Sequence, residues 1–95
     1  SDFVGVGGVS PIAVLFEYIF GLRPEVDNSI LIWDIRLLEE HGVKNYPFGK
    51  YGTLDVKCER RSSYEEEPKV TITSNIPISV QLKWNNGTQS RILTT

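Results

Sequence analysis

The chain has 95 residues, 40% of them hydrophobic and 23% charged, and a formal charge of −2 at neutral pH. This is enough for one small domain that buries about two-thirds of its unfolded surface, and the balance is that of a globular chain, not a disordered one. Scattered Lys and Arg with no net positive field exclude nucleic acid as a partner, and a single cysteine, Cys58, excludes an intrachain disulfide or a Cys-based zinc site.

In chain order, the first segment, residues 1–8, has no basic region leading into an apolar run, so no signal peptide is read there. Gly5, Gly7 and Gly8 precede a helix start, as phosphate-cradling loops do. The Walker spacing and a preceding strand are missing, which favours a tight loop. Ser10 is a good N-cap, Pro11 suits the first helical position, and Gly21 with Pro24 behind it is a stop, so a helix is predicted over 10–21. Glu17 is its one charge. A helix that is apolar all round needs partners on every side, and about ten apolar residues are too few to cross a bilayer. The prediction is therefore a helix from a larger helical body, with Ile12, Leu15, Phe16 and Ile19 on its interface.

Beyond Pro24 the pattern alternates. Asp27 to Ser29 reads as a turn and Ile30 to Trp33 as a short buried strand. Residues 34–38 either continue that strand or lead into a helical turn over 37–41 stopped by Gly42. Val43 to Phe48 alternates, with Pro47 pointing to an edge or a strand end, and residues 49–52 form a turn. In the strand from Thr53 to Glu59, Leu54, Val56 and Cys58 share one face while Asp55, Lys57 and Glu59 share the other. Residues 60–68 read as a charged hairpin loop, in which Glu65, Glu66 and Glu67 are solvated or at most a weak Ca²⁺ site. Strands follow at Lys69 to Thr73 and Ile78 to Trp84, joined by a turn over Ser74 to Pro77. Asn86-Gly87 is a type I′ hairpin signal before a closing strand from Gln89 to Leu93. That hairpin also accounts for the glycosylation-like spacing of Asn86 and Thr88. Short strands at this spacing predict a mainly β fold, a small antiparallel sandwich preceded by one apolar helix. The division is 1–24 for the Gly-rich loop and helix and 25–95 for the sandwich.

The run from Gly5 to Pro24, the segment Leu31-Ile32-Trp33-Asp34 with Arg36 and Leu37, and His41-Gly42-Val43-Lys44 resemble the C-terminal end of bacterial (α/α)6-barrel, six-hairpin glycosidases. The relevant clan holds trehalase-like, mannosylglycerate-hydrolase-like and processing α-glucosidase enzymes. The resemblance implies that a Gly-rich loop enters the last barrel helix, that the Gly21-Leu22-Arg23-Pro24 corner leaves it, and that a sandwich closes the chain. It also implies an inverting pair of carboxylates at the barrel mouth, for which this chain offers no match. Glu17 lies mid-helix, where a hydrogen bond to a polar partner in the barrel is expected. The implied role is that of a non-catalytic C-terminal domain in carbohydrate metabolism that packs on the catalytic barrel of its own polypeptide. No cofactor or metal is implied. No compartment is read from the residues, although a periplasmic or secreted parent is compatible with the resemblance.

His41, with Glu39, Glu40, Asp34 and Arg36 nearby, could form an acid–base cluster, but a lone His more often hydrogen-bonds structurally. The resemblance puts Trp33, Arg36 and His41 at the barrel–sandwich junction. Among the aromatics, Trp33 and Trp84 fall in strand patterns and read as core. Tyr51 and Tyr64 fall in loops and are the candidates for sugar contact. Two alternatives stand beside the structural role: an autonomous carbohydrate-binding module, which needs two exposed aromatics on one face, and an interaction domain that docks its helix in a partner's groove. As a domain fragment, the isolated chain is expected to self-associate through its apolar helix.

Overall fold

The computed structural model describes residues 17–95. The N-cap at Ser10, the glycines at 5, 7 and 8, and the interface positions Ile12, Leu15 and Phe16 lie outside them. Helical residues 17–20 run to Gly21, whose φ of +75° is the left-handed conformation that ends helices. Seven strands follow among the described residues: β1 (Leu22–Glu25), β2 (Ile30–Asp34), β3 (His41–Phe48), β4 (Gly52–Cys58), β5 (Val70–Ser74), β6 (Ser79–Trp84) and β7 (Gln89–Thr94). They form a four-stranded sheet in the order β1-β2-β6-β7 and a three-stranded sheet in the order β3-β4-β5. The mainly β sandwich predicted from the alternation is the fold found.

Two features depart from the expected pattern. Residues 22–24, read as the helix stop, are already strand: β1 pairs antiparallel with β2 through a 3₁₀ turn at Val26–Asn28. Pro24 is tolerated there because β1 is an edge strand. The second departure is that β2 and β6 pair in parallel, Ile30 with Ser79 through Asp34 with Lys83. Parity requires it. The chain leaves the first sheet after β2, runs down, up and down through the three strands of the second, and returns at the opposite end. Therefore β6 must run in the direction of β2.

Alternation places Leu31 and Trp33 of β2 and Val80, Leu82 and Trp84 of β6 against Tyr46 and Phe48 of β3 and Leu54, Val56 and Cys58 of β4. Strand β3 does not alternate strictly, because Val43 and Tyr46 both face the core although they are three residues apart. A bulge between them absorbs the extra residue, with Asn45 at φ 57° and its N–H bonded to Asp55 Oδ1 at 2.8 Å. Residues 35–40 form neither a continued strand nor a helical turn; they cross between sheets to β3.

The connections sort to two ends of the sandwich. One end gathers the helix terminus, the crossing at 35–40, the loop at 59–69 and the β6–β7 hairpin. The other gathers the turns at 26–29 and 49–51 and the crossing at 75–78. The hairpin keeps its predicted turn: Asn86 and Gly87 have φ of 56° and 76°, and the Thr88 N–H bonds to the Asn85 carbonyl at 3.1 Å.

Candidate interface and binding cleft

The helix terminus is built into the sandwich. Helix ends leave carbonyls without intrahelical donors, and the indole N–H of the fully buried Trp33 donates to the Phe20 carbonyl at 3.0 Å. Beside it, the Asp34 N–H donates to the Gly21 carbonyl at 2.9 Å. From the opposite sheet, the Phe20 ring tilts against His41 at 5.0 Å, and His41 meets Trp33 edge-on at 6.1 Å. The Tyr46 hydroxyl, brought inward by the bulge, donates to Glu17 Oε2 at 2.6 Å. The partner of Glu17 thus comes from this chain's own sandwich, where the resemblance placed it in a barrel. Burial and the Glu17 carboxylate both push the Tyr46 phenol far above its ordinary range. On the other side of the helix, Tyr18 is 87% exposed and Ile19 49% exposed.

Trp33 and His41, named from sequence, therefore meet at one junction with Phe20, while Ile19 lies on the exposed side of the helix. Arg36 follows strand β2, two residues beyond Asp34. Its guanidinium pairs with Asp34 at 2.7 Å and donates to Asn86 Oδ1 at 3.2 Å. His41 Nδ1 lies 2.7 Å from the Glu39 carbonyl, which can only accept, so Nδ1 carries the proton. Nε2 is buried and has no hydrogen-bond partner among the described residues. Protonating it would place a second N–H among aromatic rings, and this desolvation holds the His41 pKa below its ordinary value, with Arg61 nearby adding to the effect against the Glu39 bond. The unfolded chain then binds more protons than the folded one below about pH 6.5, so stability falls as pH drops through that value. Thermal melts should show a lower midpoint at about pH 5 than at about pH 7.5, with His41→Gln flattening the difference; equal slopes would exclude His41 as the cause.

The 59–69 loop departs furthest from its prediction. Read as a solvated charged hairpin, it carries Arg61, which is 3% exposed. The Arg61 guanidinium donates to the carbonyls of Tyr64 at 3.2 Å, Glu66 at 3.0 Å and Leu37 at 3.1 Å. Its own N–H bonds to the Leu38 carbonyl at 2.8 Å. One buried side chain thus fixes two loops together. The three glutamates do not converge: Glu66 accepts from the Ser62 N–H at 2.8 Å, Glu67 pairs with Arg91 at 2.7 Å, and Glu65 faces a cleft. No group of three potential metal ligands occurs among the described residues.

That cleft, about 330 Å³ in volume, is lined by Ile35, Arg36, Tyr64, Glu65, Asn85 and Asn86. A second, wider cleft runs from Glu17 and Tyr18 past Arg23 and Ile32 to Asp34 and Lys83. The two meet at the Asp34–Arg36 ion pair. Tyr64 is 56% exposed and Tyr51 76% exposed, but they stand at opposite ends of β4, separated by about 20 Å of strand. They cannot stack on neighbouring rings of one sugar chain. Trp33 and Trp84 are core, as read. Cys58 is buried in β4 and its thiol is pushed up to about 11 by burial, so it is not a nucleophile at neutral pH.

Glu17, Phe20, Tyr46 and Arg61 complete the site, and sequence pattern did not assemble them. Among the described residues no helix is long and apolar enough to cross a membrane. Comparison with family models, with curated proteins and with solved structures finds no match.

Proposed function

We propose that this chain is a non-catalytic accessory domain, the C-terminal β-sandwich of a glycoside hydrolase, which holds the last helix of a catalytic barrel and closes the barrel's end. The observation that supports this reading is the anchoring of the helix terminus from both sheets, by Trp33 and Asp34 on one side and by His41 and Tyr46 on the other. A domain that grips one side of an apolar helix while leaving Tyr18 and Ile19 outward is suited to present that helix to a larger body. The identity of that body as a glycosidase barrel rests on the resemblance of residues 5–24 and 31–44.

Sedimentation of the isolated chain tests the reading. The wild type should self-associate with rising concentration, and Ile19→Asp should reduce that association without lowering the thermal midpoint, because Ile19 is not gripped by the sandwich. Tyr46→Phe should instead leave association intact and lower stability by about 1–2 kcal/mol through the lost bond to a carboxylate. A wild-type chain that stays monomeric at high concentration would remove the argument for a missing helical body.

A further inference from the structure

We infer that the cleft between Tyr64 and the β6–β7 hairpin is a binding subsite for one neutral, polyhydroxylated ring such as a pyranose. This goes beyond the proposed structural role, since the cleft needs neither the helix nor a barrel to exist. Its volume of about 330 Å³ lies at the small end of ligand pockets, which suits one ring better than a chain.

The chemistry of its walls selects the ligand class. Tyr64 supplies an aromatic side chain that is more than half exposed although the loop around it is fixed. Such a surface suits the apolar C–H face of a sugar. The Asn85 and Asn86 side chains each offer an amide donor and a carbonyl acceptor, Glu65 offers acceptors, and Arg36 offers donors. Donors and acceptors are therefore mixed, as alternating hydroxyls require. An anion is disfavoured because Arg36 is already neutralised by Asp34 at 2.7 Å and Glu65 adds negative charge to the same cleft. The four polar side chains sit beside the apolar surface of Ile35 and Tyr64, so the cleft offers both an apolar face and hydrogen-bonding groups.

The site is also pre-organised, which lowers the entropy lost on binding. Arg61 ties the Tyr64 and Glu66 carbonyls to Leu37. On the facing wall, Asn85 Nδ2 bonds to Gln89 Oε1 at 3.2 Å, and Asn86 Oδ1 accepts from Arg36 at 3.2 Å. Both asparagines take φ near +55°, a conformation that Asn adopts more readily than most residues. The two walls are thus held by separate networks, one centred on Arg61 and the other including Arg36.

Titrating the ¹⁵N-labelled full chain with methyl α-D-glucopyranoside and, separately, methyl α-D-mannopyranoside tests the inference. The expected result is saturable shifts at the Asn85 and Asn86 side-chain amides and the Arg36 Nε–H, with one epimer binding more tightly. Tyr64→Ala should weaken binding about tenfold and Arg36→Gln should weaken it measurably; both side chains are largely exposed, so the fold survives, and amide dispersion checks that. Tyr51→Ala should leave binding unchanged. Absence of saturable shifts, shifts centred on Tyr51, or Arg36 responding to sodium phosphate in place of either glycoside would each overturn the inference. Because the readout is local to residues 36, 64, 85 and 86, it is independent of whether the helix self-associates.

Discussion

Arg61→Met should lower the thermal midpoint by roughly 10–25 °C, corresponding to about 2–4 kcal/mol for a domain of this size. The guanidinium makes three bonds to carbonyl oxygens, each worth about 1.5–3 kcal/mol when the donor is charged. Against them stands the cost of burying a cation, several kcal/mol even after relaxation. The remainder is a moderate net stabilisation, and the substitution leaves the Tyr64, Glu66 and Leu37 carbonyls without the guanidinium that joins them. Arg61→Lys separates the two contributions. Lysine keeps the charge but carries a compact ammonium in place of a planar fork, and cannot span three carbonyls on two loops. It should therefore be nearly as destabilising as methionine. If the lysine variant melts with the wild type, fork geometry is not what fixes the loop. Amide exchange supplies a second readout, since the Arg61 N–H bonded to Leu38 should lose protection in both variants.

Gly21→Ala should cost more than about 3 kcal/mol, and Gly87→Ala about 1 kcal/mol. The two glycines share nearly the same backbone, at φ +75° and +76°, so the left-handed strain is common to both. Their surroundings differ. A Cβ on Gly21 would stand 2.0 Å from the Asp34 carbonyl oxygen, whereas one on Gly87 would meet nothing within 4 Å. The Asp34 backbone cannot swing aside, because its N–H is bonded to Gly21 and it closes the parallel pairing with Lys83. Relief has to come from moving the helix away, which also breaks the Trp33 bond to Phe20. Loss of near-UV signal from Trp33 should accompany the drop in stability for Gly21→Ala and be absent for Gly87→Ala. Equal costs for the two substitutions would mean that the close approach at Gly21 does not constrain the helix.

Most of the sandwich could be read from local pattern because half-buried strands announce themselves with a two-residue period. Strand β4 is the clearest case: Leu54, Val56 and Cys58 lie inward as read, while Thr53 and Lys57 face out. The Asn86-Gly87 turn was equally local. Strand β1 was not, because a four-residue edge strand containing a proline directly after a helix stop has no period of its own. The bulge in β3 hid the inward direction of Tyr46, and with it the partner of Glu17. Arg61 was missed for a different reason. Charge in a loop between strands normally means solvent, and what overrides that is a set of carbonyls on two loops far apart in sequence, which no window of sequence contains. Trp33 and His41 were named through a resemblance, as residues facing a barrel, and not through pattern; here they pack on the helix terminus. Among the described residues, Arg36 bonds to Asp34 and Asn86. Tyr51 and Tyr64 were equivalent as loop aromatics; only the topology puts them at opposite ends.

The parallel seam between β2 and β6 bears on how quickly the molecule acquires its shape. The hairpins β1–β2, β3–β4 and β6–β7 join neighbours in the chain and can form early, on a timescale of about microseconds. The seam pairs Ile30 with Ser79, so the whole second sheet is the loop that must close before a single rung of it forms, and closure entropy opposes it without local reward. Refolding should therefore be limited by this late docking, in about the millisecond-to-second range of sandwich topologies. Until it occurs, the facing edges of β2 and β6 stay open to pairing with another chain.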